Sequence, residues 1–332
     1  MLTKHLTDVI EGKSVIEQLD VSDLSVGAHQ FWFNAGTNGI AQLQLIPVTV
    51  FKGQEQGPRI MVTAGIHGDE LNGVLTAQEL IRSLDHKQLK GTITIVPMIN
   101  LTGMLNHSRD FFSSDPDSSP ANLNRFFPGN PDGDAANRFV DTVWTKLLKP
   151  NADFAIDLHT QTRGAVYPLY IFADFTIPES LQMARLMSAD CILDDPGDEG
   201  VLETTWNRNN IPSITVEVGM GKTTQPELIE RSLTGIHNIL KSFGNLEGDM
   251  TEAASKAIES KSVVSLRATQ GGFVLPEVEL LDKVEKGEVV AKQYNAFGEL
   301  IESYVAPESG VVLSYNNDAM REAGALIVRL IM

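Results

Sequence analysis

The chain has 332 residues, with 43 acidic against 26 basic side chains and a formal net charge of -17. That surplus argues against a phosphate backbone or an anionic membrane surface as partner, and a small anionic substrate would need local arginines to bind against such a field. The length points to one large domain plus a smaller one, and the single cysteine, Cys191, excludes an intrachain disulfide or any multi-cysteine metal site.

The first run, MLTKHLTDVIEGKSVIEQLD, lacks the apolar core of a secretory signal, and no later segment approaches the ~20 apolar residues of a membrane helix. The chain therefore reads as cytoplasmic. From about Gln42 to Phe243, short Val- and Ile-rich runs (QLQLIPVTVF, RIMVTAG, TITIVPMIN, DFAIDLH, LYIFAD, SITVEVG) alternate with stretches of helical spacing (LNGVLTAQELIRSL, AANRFVDTVWTKLL, PESLQMARLMS, PELIERSLTGIHNILKSF). Several runs are apolar at nearly every position, as strands covered on both faces must be. Pro226, just after Thr224, marks a helix start. The pattern predicts an α/β domain over residues 1–245, with a mostly parallel or mixed sheet and helices on both faces. Cys191, in the strand-like DCILDD, reads as a buried small hydrophobe.

Residues 246–262 are polar and small, and read as a linker. Beyond them, 263–332 break into short β-type runs separated by turns, which predicts a small all-β domain. One segment stands out inside the larger domain. NHSRDFFSSDPDSSPANLNRFFPGNPDG, Asn106 to Gly133, combines four prolines with two Phe-Phe pairs and two arginines, and its aromatic residues favour an ordered, functional loop.

The polar residues at strand ends carry the chemistry. His67 and Glu70 follow RIMVTAG, His159 ends DFAIDLH, and Glu217 lies near the end of SITVEVG. In open parallel sheets ligands bind beyond the carboxyl ends of strands, so these four residues are expected to meet at one crevice. Two histidines and a carboxylate suffice for a catalytic zinc with one position left to water. Glu217 is then the candidate general base. Asp69 and Asp157, each two residues from a proposed ligand, are candidates for orienting an imidazole. The same groups also fit a plain turn, with Glu70 favoured by the helix N-terminus. Arg109, Asn124 and Arg125 in the unusual loop offer guanidinium forks for a carboxylate, or pairs for loop acids such as Asp115, Asp117 and Asp132.

The order HxxE, NLNR, a strand ending DLH and a strand carrying VEVG resembles the succinylglutamate desuccinylase/aspartoacylase family, which is related to the zinc carboxypeptidases. The resemblance spans roughly Arg59 to Phe243, and the β-rich C-terminal part suits the family's two-domain layout. It implies one zinc per chain, held by His67, Glu70 and His159, with Glu217 as general base and proton shuttle. It further implies that Asn124 and Arg125 hold a substrate carboxylate and that Arg109 stabilises the oxyanion. The spacing from Arg109 to NLNR is longer here, with SSDPDSSPA as an insertion. The implied reaction is hydrolysis of the amide of a small anionic N-acyl amino acid. Carboxypeptidase action on a peptide C-terminus and a non-catalytic binding protein of the same fold are the alternatives, and a homo-oligomer is compatible with either. The stretch from Gly271 to Tyr315 looks like the barrel-sandwich of biotinyl and lipoyl carrier domains. It lacks their Met-Lys-Met and is read as a structural or substrate-gating module, from which Tyr294, Tyr304 or Tyr315 is a candidate to reach the site.

Overall fold

The computed structural model describes residues 2–252 and 256–332. An eleven-stranded mixed sheet forms the body. Its strands are β1 (Lys4–Ile10), β2 (Lys13–Gln18), β3 (Gly27–Thr37), β4 (Leu43–Lys52), β5 (Glu55–Ala64), β6 (Lys90–Val96), β7 (Phe154–Gln161), β9 (Leu169–Ala173), β10 (Cys191–Asp194), β11 (Ser213–Met220) and β12 (Ile258–Ser260), while β8 (Ala165–Val166) pairs elsewhere. They lie in the order β1-β2-β3-β4-β6-β5-β7-β11-β9-β10-β12. The centre, β6-β5-β7-β11, is parallel throughout, and β4 and β9 flank it antiparallel.

Because successive strand residues point to opposite faces, the central strands sort their side chains into two layers. Ile60, Val62, Ala64, Ile156, Leu158, Ile214, Val216 and Val218 enter one apolar core. That core is closed by helices α1 (Leu71–Ser83), α4 (Pro178–Leu186) and α6 (Pro226–Ser242). Met61 and Ala155 enter the other core, together with Phe139 and Val143 of α3 (Ala135–Val143) and Leu202 and Trp206 of α5 (Leu202–Arg208). Thr63, Asp157, His159, Thr215 and Glu217 share the parity of this second face, where a polar crevice replaces the apolar layer at the strand ends. Asn106–Gly133 packs here, with Phe111, Leu123 and Phe127 buried, after the short helix α2 (Leu101–Leu105).

Three strands precede the alternation read from Gln42 onward. The stretch expected as a linker also supplies β12, which pairs parallel with β10; its residues 253–255 lie outside the described residues. The C-terminal part forms two antiparallel sheets. One holds β13 (Val263–Arg267), β15 (Lys283–Val284), β18 (Gly310–Asn316) and β20 (Leu326–Ile331), joined by β8. The other holds β14 (Gly272–Pro276), β16 (Val289–Tyr294), β17 (Leu300–Val305) and β19 (Met320–Arg321). Cys191 is fully buried beside Tyr170 and the C-terminal Leu313 and Ile331, and burial pushes its thiol up to about 12. Among the described residues no helix is long and apolar enough to cross a membrane.

Candidate metal centre

The turn after β5 presents the first two groups. Gly65 takes a φ of +69°, which a side chain would resist. A Cβ on Gly68 would stand 2.2 Å from the backbone of Gly103 and Met104, so only glycine lets α2 support the turn from behind. His67 and Glu70 then face inward, and Glu70 occupies the residue before α1. His159 arrives from β7. The ligand-competent atoms of His67, Glu70 and His159 all lie within 4.8 Å of one another, and all three residues are buried.

The ring nitrogens divide into inner and outer sets. Both Nδ1 atoms face Glu70, that of His67 2.9 Å from Oε1 and that of His159 2.9 Å from Oε2, and they lie 3.1 Å from each other. Both Nε2 atoms point outward, that of His159 to Asp157 Oδ2 at 2.8 Å and that of His67 to Asn122 Oδ1 at 2.9 Å. An Nε2–H that donates outward leaves the Nδ1 lone pair free for a cation, the arrangement in which metal-bound imidazoles are oriented. The inner donors stand 2.9 to 3.1 Å apart, about half an ångström or less inside the ~3.4 Å spacing of ligands ~2.1 Å from one tetrahedral ion, so a small outward shift would seat one. The donor set therefore fits a single divalent ion. Thr63 Oγ1 donates to Asp157 Oδ1 at 2.7 Å, which holds the carboxylate that holds His159.

The electrostatics agree. Burial opposes charging of Glu70, but His67 and His159 outweigh it and hold the carboxyl well below its ordinary range. Burial likewise opposes charging of His159, yet Asp157 and Glu70 raise its pKa well above the usual value. Burial lowers that of His67. The cluster thus stabilises positive charge between its donors, and a metal ion would displace the proton there.

Glu217 is the register neighbour of His159 on the adjacent parallel strand. It is buried, and its Oε2 has no partner among the described residues. Burial first, and then the charges of Glu70 and Asp157, push its pKa up to about 8 against the pull of His159 and Arg109. An unpartnered buried carboxyl beside a donor cluster is a costly feature in a structural core and a useful one in a catalytic crevice.

The arginines are less uniformly placed. Arg109 donates through Nη1 to Glu70 Oε1 and remains partly exposed, so the structure brings it to the cluster. Asn124 is buried, and its Oδ1 accepts from the backbone N–H of Leu202 at the start of α5 at 2.8 Å. Arg125 is exposed and folds back on the Asn124 carbonyl at 2.6 Å, without contact to the histidines. Asp69 lies 4.0 Å from Lys222 Nζ and orients neither imidazole.

Residues 56–243, more than half of the chain, match the succinylglutamate desuccinylase/aspartoacylase catalytic domain. The chain belongs to this family. It is 30% identical over 278 residues to the N-alpha-acetyl-L-2,4-diaminobutyric acid deacetylase of Halomonas elongata, covering 79% of this chain and 77% of that protein. Its fold is similar to that of the product-bound ectoine utilization protein EutE (DoeB) from Ruegeria pomeroyi, with a TM-score of 0.83 at 22% identity over 92% of this chain and 96% of that one. It is also similar to a succinylglutamate desuccinylase/aspartoacylase from Rhodobacter sphaeroides, with a TM-score of 0.79 at 20% identity over 93% and 98%.

Within this family frame, two neighbours of the site were not singled out from the sequence. Asn122, the first residue of NLNR, accepts from both His67 Nε2 and the Asn124 backbone N–H, tying a candidate ligand to the loop. Tyr170 of β9 is the register partner of Glu217 on its other side. The C-terminal tyrosines expected as candidates are engaged elsewhere. Tyr304 donates to Gln293 Oε1 at 2.6 Å and Tyr315 to Glu279 Oε2 at 3.1 Å, both inside their own module, and Tyr294 stands opposite Phe273 and Leu300 in its sheet.

Proposed function

We propose that this protein is a zinc-dependent deacylase that hydrolyses the amide bond of a small N-acyl amino acid. The observation that carries this reading is the convergence of the inner donor atoms of His67, Glu70 and His159 beside the unpartnered carboxyl of Glu217. His67, Glu70 and His159 would hold one ion. A zinc ion there supplies Lewis acidity, acidifying water and polarising an amide carbonyl.

The remaining chemistry belongs to the chain. Glu217 takes the proton from the attacking water and returns it to the departing amine, and its raised pKa suits both transfers near neutral pH. Asp157 and Asn122 hold the two imidazoles with Nδ1 inward. Arg109 moves from Glu70 toward the developing oxyanion. Asn124 offers an amide N–H, and Arg125 unfolds from the Asn124 carbonyl to hold the substrate carboxylate bidentately. Residues 1–245 are the catalytic part, and 263–332 are a module packed against it.

The substrate of the Halomonas elongata relative supports a short acyl group on the α-nitrogen of an amino acid. The test is a screen of N-acetyl and N-succinyl amino acids, with short peptides alongside, against wild type and Glu217→Gln. Turnover by wild type and its loss in the variant is the expected result. Cleavage of peptides but of no N-acyl amino acid would replace the reading with carboxypeptidase action, and no turnover of either would favour a binding protein.

A further inference from the structure

The three segments that leave the crevice are laced to one another. After Glu217, Gly221 N donates to Gln161 O at 2.8 Å and Lys222 N to Asp69 O at 3.1 Å, so the exits of β11, β7 and the His67–Glu70 turn form one rim. The outermost part of that rim is the turn Gln161–Gly164, two to five residues beyond His159. The C-terminal module reaches it. Val166 and Ala165 pair with Tyr315 and Asn316 of β18, and Gly164 O accepts from Asn317 N at 3.1 Å and from Arg321 Nη2 at 2.5 Å. Asn317 Nδ2 lies 3.2 Å from Met220 Sδ, at the exit of the strand that carries Glu217.

Arg321 is an unusual residue for a plain domain seam. Its side chain is only 14% exposed, its nearest carboxylate is the largely exposed Asp318 at 4.0 Å, and its Nε is buried without a partner among the described residues. A guanidinium taken out of water with so little compensation costs stability, so its single strong contact is the place to look for a role. What it holds is the Gly164 carbonyl. Gly164 has a φ of +94°, a conformation that favours glycine, and the Arg321 guanidinium packs directly against it. Arg163, one residue earlier, is exposed and pairs with no acidic side chain among the described residues, and its backbone N lies 3.5 Å from where a Cβ on Gly221 of the same rim would stand.

We infer that Arg321 is a positioning residue for substrate binding: from the C-terminal module it clamps the turn Gln161–Gly164 as a wall of the crevice and so fixes Arg163 at the mouth, where it meets an anionic group of the substrate. The inference rests on the deacylase reading of the same crevice and adds that substrate affinity is controlled from the second module. The clamp leaves His67, Glu70, His159 and Glu217 untouched, so its loss affects binding rather than the chemical step.

The experiment compares Arg321→Ala, Arg321→Lys and a surface control in the same module, Lys286→Ala, on the full chain loaded with zinc. An N-acetyl amino acid turned over by wild type is the probe. Arg321→Ala is expected to raise KM about tenfold, the worth of one charge-assisted hydrogen bond, with kcat within about threefold and metal content unchanged. Arg321→Lys, which keeps a cationic donor for Gly164 O, is expected to recover most of the KM. Hydrogen exchange is expected to rise in Arg321→Ala at residues 161–166 and not across the module. An unchanged KM overturns the clamp, as does exchange that rises throughout 263–332, or a lysine variant as impaired as the alanine one. The exchange arm needs no substrate: if wild type turns over no N-acyl amino acid, the deacylase reading fails, and unchanged exchange at 161–166 would separately refute the clamp.

Discussion

Glu217 carries the sharpest residue-level predictions. On the proposed mechanism Glu217→Gln keeps the donor cluster but has no base, so turnover should fall by ~10³-fold while bound metal stays as in wild type. A pH test needs no substrate. The fold raises the Glu217 pKa from 4.5 to about 8 in the metal-free protein. Its protonated form is therefore the stabilised one, and that contribution is complete below pH 4.5 and is lost as pH rises through 8. Glutamine cannot ionise, so the metal-free variant should gain on wild type by about 4 kcal/mol between pH 5 and pH 9 in urea unfolding; a difference that stays constant with pH would contradict this. The HxxE turn, the DLH strand end and VEVG were legible because each puts its polar group at the end of an apolar run. Asn122 was not, because its importance comes from accepting two hydrogen bonds, one of them from a residue 55 positions away. Asn122→Ala should weaken metal binding about 10- to 100-fold, as loss of an outer acceptor does elsewhere, and metal competition against a chelator measures it.

Among elements, α1 decides whether Glu70 meets the histidines. Asn72 in its first turn donates to Val218 O at 2.9 Å and accepts from Gln225 N at 3.1 Å, which fastens the helix to the exit of β11. Gly73 lies so close to β7 that a Cβ would stand 2.7 Å from Leu158 O. Gly73→Ala should therefore push the helix outward, cost about 1–3 kcal/mol in thermal unfolding, and lower metal affinity with it. Unfolding that shifts while metal affinity does not would separate the helix from the site. The central strands and the long helices were readable because burial on both faces, or on one helical face, leaves an unbroken apolar signature. The N-terminal β1 was not, since it is an edge strand with exposed or half-exposed positions throughout and has no core side to imprint on its sequence. The short α5 was hidden for another reason: Glu203, Thr204 and Thr205 are buried in it, so polar residues occupy core positions.

On the scale of the whole molecule, α/β body and β module were visible as a change of texture near residue 262, but their junction was not. It depends on pairings such as Tyr315 with Val166, and on the burial of Tyr167, Tyr170 and Cys191 against Leu313 and Ile331, which link residues far apart in sequence. A metal that binds the folded chain and not the unfolded one adds to global stability by mass action, about 4 kcal/mol when its free concentration is 1,000 times Kd. Chelation should accordingly lower the unfolding temperature of wild type, with recovery on adding zinc, and should leave His159→Ala unaffected. Metal content bears most directly on His67, Glu70 and His159 as ligands. Elemental analysis of protein purified without chelators should find about one divalent ion per chain in wild type and little in His67→Ala or His159→Ala. A wild type free of metal, or histidine variants that keep it, would contradict the account.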